Sequence, residues 1–451
     1  MKYLKTIPLL IVLILSGCAT GVNVAGYRAI DEAISHSDFG EGVRQIEQAQ
    51  DGKRPLYNSS NAISLFLDKG FLEHYARDYR ASANSLQNAE RLIQEAFTKS
   101  ITQGVATYIV NDNTREYPGE DFEDIYLSVF NALNYFQMGN TEGALVEVRK
   151  LTLPNGKLDM LERKYEEANA KAKKENEAAL KRAENSNDAT QLQVTPVTFT
   201  NSALARYLSV LFYQDDRNED AVRIEMEQLH NAFTSQPNIY KNPPPSAIEN
   251  LYSFPTGQAR LDVISFVGLS PIKEEKAFPV FFPFFSDYSL RTGVMRLPVL
   301  VKRPSKIDHI EVLVGDQRFS LELLEDMGVV MEDTFNARFS TIFLKTYLRI
   351  LGKYIATEIG GNAIAGKDNE GTAELLKFIG RITTDLSENA DIRMSRYLPN
   401  KAFVGNINLE PGVYDITVNY YSHGRIIYRE TQENVNVRAN NLNLLQTVNL
   451  E

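Results

Sequence analysis

From about residue 19 to 245, apolar positions recur at i, i+3 and i+4, the period of amphipathic helices, and strand-type alternation is rare. Three stretches share one frame. Gly70, Ala132 and Ser209 are each followed twelve positions later by another small residue, Ser82, Ala144 and Ala221. Small side chains at such places let antiparallel helices approach closely, so the frame predicts three helical hairpins. Gly139-Asn140 and Asp215-Asp216 are the expected turns, and Tyr27 to Gln50 fits a further helix pair. Tyr135, Tyr207 and Phe212 fall where they pack between helices or line a groove.

Pro243-Pro244-Pro245 marks a stiff boundary, after which the period changes. Strands are predicted over 260–267, 295–301, 309–315, 402–409, 412–421, 425–437 and 442–450, with Leu409-Glu410-Pro411-Gly412 as a turn. Tyr414, Ile416, Val418 and Tyr420 alternate with Val413, Asp415, Thr417 and Asn419, the mark of a half-buried antiparallel strand. Helical periodicity returns around Phe339, Phe343 and Tyr347 and again around Leu375, Phe378 and Ile382. The Gly-rich stretch 360–371 between them is the expected bend of a hairpin spanning 333–389, the alternative being a hinge or a partner contact. The predicted fold class is α+β and multidomain. A helical domain occupies 18–245, with a charged helical insertion and linker at 158–193. A β-rich domain of sandwich type occupies 246–451, with the helical hairpin inserted. The Ala-, Glu- and Lys-rich insertion is expected either as a solvated helix or as a partner-binding arm.

The paired-helix frame resembles the tetratricopeptide repeat, a helix-turn-helix unit of about 34 residues. This chain departs from that pattern. Its units recur at about twice that period, Glu73 stands where an aromatic is expected, and Glu225 stands where an apolar residue is expected. The segment is therefore either a set of degenerate repeats or an irregular helical bundle.

One residue changes the picture of where the chain resides. Cys18 is the sole cysteine, and it ends Leu15-Ser16-Gly17-Cys18 after Lys2, Lys5 and the short apolar run from Ile7 to Leu15. A basic start, a short apolar core and a small-residue site make a secretory signal over 1–17, and the run is too short for a spanning helix. The ending resembles the lipobox of bacterial lipoproteins. That resemblance implies lipidation of Cys18, a membrane anchor through diacylglycerol and an acylated amine, and a periplasm-facing site at the outer membrane. With its one cysteine so committed, the chain forms no internal disulfide, and thiol catalysis and zinc–thiolate sites are excluded.

The formal net charge of −10 argues against nucleic acid and anionic membrane surfaces as partners. The five histidines, His36, His74, His230, His309 and His423, stand outside metal-ligand spacing of one another. No metalloprotease, nucleophile-elbow, phosphate-loop or dithiol motif occurs, so no catalytic, cofactor-binding or metal residues are assigned and no cofactor is expected. Asp121, Glu123 and Asp124 form an acidic cluster that reads as a helix N-terminus or a solvated face. The aromatic run Phe278-Pro279-Val280-Phe281-Phe282-Pro283-Phe284-Phe285 is either an edge strand or an exposed apolar loop. In the second case Phe281, Phe282, Phe284 and Phe285 are the candidate partner contacts.

Several β-region segments carry a wider resemblance. They are Asp262-Val263 through Gly268, Pro271-Ile272-Lys273, Phe278-Pro279, Ala390-Asp391-Ile392-Arg393, Arg396-Tyr397-Leu398-Pro399 and Leu409-Glu410-Pro411-Gly412-Val413-Tyr414. Together they resemble an uncharacterised family of bacterial tetratricopeptide-like lipoproteins. The resemblance implies an envelope location and a role beside other envelope proteins in cell-wall or surface assembly, and it brings no catalytic residues. Arg393 and Arg396 are expected to form ion pairs beside Ala390-Asp391 that lock the helical hairpin to the sheet, the alternative being substrate recognition. The expected function is a non-enzymatic protein–protein interaction scaffold. The alternative is a lipoprotein that captures a glycan or small ligand, although the chain has no tryptophan to offer a sugar.

Overall fold

A computed structural model describes residues 24–51, 55–102, 116–183, 195–252, 257–283, 290–339, 342–343, 346 and 389–451. The fold is α+β. Helices α1 (Arg28–Ser35), α2 (Phe39–Gln50), α3 (Ala62–Tyr75), α4 (Tyr79–Thr102), α5 (Asp121–Gln137), α6 (Thr141–Thr152), α7 (Lys157–Ala183), α8 (Ala203–Asp215) and α9 (Glu219–Ser235) come first.

Four helical hairpins, α1–α2, α3–α4, α5–α6 and α8–α9, are closed by one kind of turn. Ser37, Arg77, Gly139 and Arg217 each take positive φ, at 56°, 63°, 72° and 56°. The next residue, Asp38, Asp78, Asn140 or Asn218, caps the following helix by accepting from the backbone N–H three positions on. The same residue's own N–H returns to the end of the preceding helix, on Ala33, Glu73, Tyr135 or Tyr213 oxygen. This is a left-handed helix end joined to an Asx cap. The Gly139-Asn140 turn falls where expected. The last turn is Arg217-Asn218, two residues beyond Asp215-Asp216, because Asp216 still sits at the α8 C-cap and Asn218 supplies the cap of α9.

Both departures from the repeat pattern have partners inside the helices. Glu73 is 6% exposed and accepts from Ser85 Oγ at 2.6 Å. Glu225 is 3% exposed and pairs with Arg206 at 2.9 Å. A buried acid stands at each place because a polar group waits across the hairpin.

Helix α7 departs from a wholly solvated helix. Leu158, Leu161, Tyr165 and Ala172 form a buried stripe, while Glu162, Arg163, Glu166 and Glu167 face solvent. Tyr165 Oη donates to Asp121 at 2.6 Å, which ties the stripe to α5.

The remaining strands are β1 (Ala259–Leu269), β2 (Ile272–Pro283), β3 (Leu290–Val301), β4 (His309–Val314), β5 (Gln317–Ser320), β6 (Glu322–Asp326), β7 (Pro399–Leu409), β8 (Gly412–Ser422), β9 (Arg425–Val437) and β10 (Asn443–Asn449). They form one sheet in the order β10-β1-β7-β6, a second in the order β5-β4-β8-β9, and a separate β2–β3 hairpin. β10 runs parallel to β1, and the other pairings are antiparallel.

Strand β1 is buried nearly throughout, and its alternation explains why. Ile264 and Phe266 face the helices and join their core, where Phe266 lies 4.8 Å from Phe130. Leu261, Val263 and Val267 face Ile310 and Val312 of β4 and Ile416 and Val418 of β8 in a second core lined by both sheets. The helical core thus continues across the proline boundary into Leu324, Met327, Tyr397, Leu398 and Val404.

A further helix, α10, covers residues 327–339. It begins ahead of the expected 333 because Asp326, at the end of β6, accepts from the Val329 N–H at 3.1 Å and starts the helix there. Most of the rest of the expected 333–389 hairpin lies outside the described residues.

Candidate functional site

Charged side chains gather where the α5 N-terminus, the β2–β3 hairpin, α10 and the segment before β7 meet. Glu120 and Lys273 are each 7% exposed at the side chain and pair at 2.6 Å. Arg338 of α10 closes on the second Glu120 oxygen and lies 3.2 Å from Asp121. Asp121 in turn holds Lys164 at 2.6 Å. Burial works to raise the Glu120 carboxyl, but Arg338 and Lys273 outweigh it and hold the group below the usual carboxylate range. Asp121 faces the same opposition of burial against Lys164 and Arg338, and falls to about 2.

Glu123, one helical turn on, differs sharply. It is 0% exposed and accepts from Tyr117 Oη at 2.7 Å, the Glu120 N–H at 2.8 Å and the Ser395 N–H at 2.6 Å. Burial and the neighbouring Glu120 charge push it up to about 7. Asp68 repeats this arrangement in α3. It is 0% exposed, accepts from Tyr57 Oη at 2.7 Å, Ser395 Oγ at 2.9 Å and the Arg396 N–H at 2.6 Å, and is pushed up by burial to about 6. Ser395 therefore bridges two buried carboxyls, one from each of two helices.

The segment 390–398 threads between these helices and the sheet. Arg393 grips Asp391 at both oxygens, 2.8 Å each, donates to the Ser60 carbonyl at 3.1 Å and lies over the Tyr117 ring. Arg396 stacks 4.1 Å from the Tyr27 ring centre and lies 3.5 Å from Asp31. Tyr75 Oη donates to the Tyr397 carbonyl at 2.9 Å. Among the described residues these arginines fasten the strand entry to the N-terminal helices; most of the helical hairpin they are expected to lock to the sheet lies outside the described residues. The reason is steric as much as electrostatic, since Tyr27 and Tyr117 offer flat ring faces to the two guanidinium planes.

A small cavity opens beside Glu120, lined also by Lys273, Met331, Arg338 and Met394. At about 10 Å³ it has room for one water. The carboxylates around it are held by cations of the same chain, and Glu123 is surrounded by donors of the chain itself. The arrangement is suited to holding protons and charge inside the fold. Among the described residues there is no cluster of His, Cys, Asp and Glu fit to hold a metal ion.

The structure places the sequence candidates as follows. Phe281 and Phe282 lie in β2, in register with Thr292 and Arg291 of β3, near the far end of a hairpin paired to neither four-stranded sheet. Phe284, Phe285 and Cys18 lie outside the described residues. Tyr207 and Phe212 are fully buried, and Phe212 packs 5.7 Å from Phe136, so both serve the core. Tyr135 is half-buried and accepts from Gln87 at 2.5 Å. The acidic cluster at 121–124 becomes the helix end around which a seam of ion pairs, Glu120 with Lys273 and Arg338 and Asp121 with Lys164, is built. Arg338 and Asp68 were missed by sequence reasoning. Lys273 was singled out within Pro271-Ile272-Lys273, but its pairing with Glu120 was not foreseen.

No family model, no curated protein and no solved structure matches this chain. No helix among the described residues is long and apolar enough to cross a membrane.

Proposed function

We propose that this chain is a lipid-anchored, periplasm-facing lipoprotein of the outer membrane that serves as a non-enzymatic scaffold in envelope or surface assembly. The observation that carries the anchor is the sole cysteine at the end of Leu15-Ser16-Gly17-Cys18. Two acyl chains or more make such an anchor stable, since each buried CH₂ contributes roughly 0.8 kcal/mol. The four hairpins closed by one kind of turn favour the reading of α3–α4, α5–α6 and α8–α9 as degenerate tetratricopeptide-like units. The shared core between the two four-stranded sheets favours the sandwich reading of the β region.

The β2–β3 hairpin is the element best suited to meet a partner. Among the described residues it is paired only to itself, and Val294 on it is 59% exposed. Phe281 and Phe282 stand near its far end. In-cell crosslinking of the parent chain, Cys18→Ser and Phe281→Ala/Phe282→Ala, followed by capture and mass spectrometry, tests the proposal. A recurrent envelope partner that is lost in both variants, with unchanged melting of the aromatic variant, is the expected result. Recovery of the parent chain from membranes with no crosslinked protein, together with retention on glycans, would overturn the scaffold reading in favour of ligand capture.

A further inference from the structure

Strand β9 forms one edge of the second sheet, beyond β8. It runs for 13 residues, and only Val437 at its end is buried. Ile426, Ile427 and Tyr428 are 44%, 40% and 38% exposed. Long open edges with apolar side chains invite another strand unless prolines, charges, bulges or a covering loop blunt them; in β9 the register shifts fall beside Ile427 and beside Glu433-Asn434, at the two ends of a regular open run. Contacts from the rest of the chain reach β9 from its inner face, where Arg77 pairs with Glu430 and Gln432 donates to the Gln446 carbonyl.

The charges on the opposite face are arranged for self-recognition. From Tyr428 to Gln432 the strand pairs regularly with Tyr420 to Ile416, and the irregularity at Asn434, whose φ is 57°, ends that run. Arg429, Thr431 and Glu433 alternate along the outer face, and all three are exposed. Two antiparallel copies of this segment, related by a two-fold axis at Thr431, set Arg429 of each opposite Glu433 of the other. Thr431 meets its own counterpart and extends the Thr417–Thr431 contact of 2.9 Å across the junction. Each such cross-strand pair is favourable, and like charges placed directly opposite are unfavourable. Moving the two-fold axis to position 429 brings Arg429 against Arg429, so charge selects the axis at Thr431.

We propose that β9 is a dimerisation edge whose occupant is β9 of a second copy of this chain, joined antiparallel about Thr431 so that the two four-stranded sheets become one continuous sheet. The interface is isologous, as a two-fold dimer requires. It lies in the second sheet and does not depend on the lipid anchor or on the β2–β3 hairpin.

Sedimentation velocity of the full-length chain in mild detergent, over a range of concentrations, tests this. The parent chain is expected to dimerise. Arg429→Glu and Glu433→Arg are each expected to weaken dimerisation by roughly tenfold or more, because two attractive pairs become two repulsive ones. An equimolar mixture of the two variants restores the dimer, since position 429 of each chain then again faces a position 433 of opposite charge across the junction. Arg429 also donates to Asn419 at 2.7 Å, so melting of each variant is measured alongside. Thr431→Cys supplies a second readout: mild oxidation is expected to link two chains through position 431. A parent chain that stays monomeric, dimers indifferent to both reversals, or absence of the 431–431 link would each overturn the proposal.

Discussion

The Ser82 hydroxyl donates a 2.7 Å hydrogen bond to the Gly70 carbonyl, from α4 across to α3. The two backbones come this close because neither residue carries a bulky side chain. A Cβ added at Gly70 would stand 2.6 Å from Leu86 Cδ2 and 3.3 Å from the Leu86 backbone nitrogen. Ser82 Oγ also accepts from Asn134 Nδ2 at 2.8 Å, which ties the hairpin to α5.

Gly70→Ala is therefore expected to destabilise the chain by about 1–3 kcal/mol through overpacking, despite the better helix propensity of alanine. Ser82→Ala is expected to cost about 1–2 kcal/mol, because the buried Asn134 amide keeps only its long 3.4 Å contact with Asn131 and the Gly70 carbonyl loses its hydroxyl donor. Urea denaturation followed by circular dichroism measures both. A Gly70→Ala variant as stable as the parent would sink the close-approach argument.

That helical contact was legible in the sequence, since the small-residue frame at 70 and 82 marks it. So was the division into a helical half and a strand-rich half, because periods of 3.6 and 2 are local properties. The turns were only partly legible. Glycine announces the left-handed residue at 139, whereas Arg77 and Arg217 adopt the same conformation without any sequence signal. The ionic seam was illegible for a different reason. Lys273 meets Glu120 from 153 positions away, and Ser395 meets Asp68 from 327. Neither charge patterning nor periodicity reaches across such separations. The motif at 390–399 was singled out, but its partners, Tyr27, Ser60 and Tyr117, are set by topology alone.

Glu123 gives the seam a pH dependence of defined sign. Its carboxyl is held near 7 in the fold by burial and by Glu120, above its unfolded value. The native state therefore keeps a proton that the unfolded chain releases. The stabilisation is full below the unfolded pKa and is lost as pH rises through about 7. It amounts to on the order of 3 kcal/mol across that window. Asp68, raised to about 6, acts in the same sense, while His74, buried and lowered to about 4, acts in the opposite one. Comparing the parent with Glu123→Gln isolates the one group. Urea titrations from pH 5 to roughly 7.5 are expected to show the parent losing stability relative to the variant as pH rises. Parallel curves would show that Glu123 does not hold a proton in the fold.

Arg393→Lys tests the fastening of the 390–398 segment. Lysine keeps the charge but loses the two-point grip on Asp391 and the flat contact with Tyr117. A loss of about 2–3 kcal/mol is expected, because a buried carboxylate is left poorly paired. Hydrogen exchange is expected to quicken at the Ser395 and Arg396 amides, whose acceptors are Glu123 and Asp68. Unchanged exchange at those two amides would show that the segment is held by something other than Arg393.

Lys273 and Glu120 are expected to behave as one unit. Lys273→Met leaves the buried Glu120 carboxylate with Arg338 as its remaining close cation, at a cost of about 3 kcal/mol. Methionine fills the space, so the loss is electrostatic rather than a cavity effect. Glu120→Gln alone leaves two cations facing a neutral amide and is destabilising for the mirror-image reason. In the double variant only Arg338 faces the neutral amide, and it keeps Asp121 at 3.2 Å. The loss in the double variant is then expected to fall short of the sum of the two single losses by roughly 1–3 kcal/mol, the range for residues in direct contact. Four urea titrations complete the cycle at a pH near neutrality, where Glu120 is ionised because Arg338 and Lys273 hold it low despite burial. Additivity to within about 0.5 kcal/mol would mean that the 2.6 Å pair contributes nothing of its own, and that β2 is held to α5 by the packing around Ile272 instead.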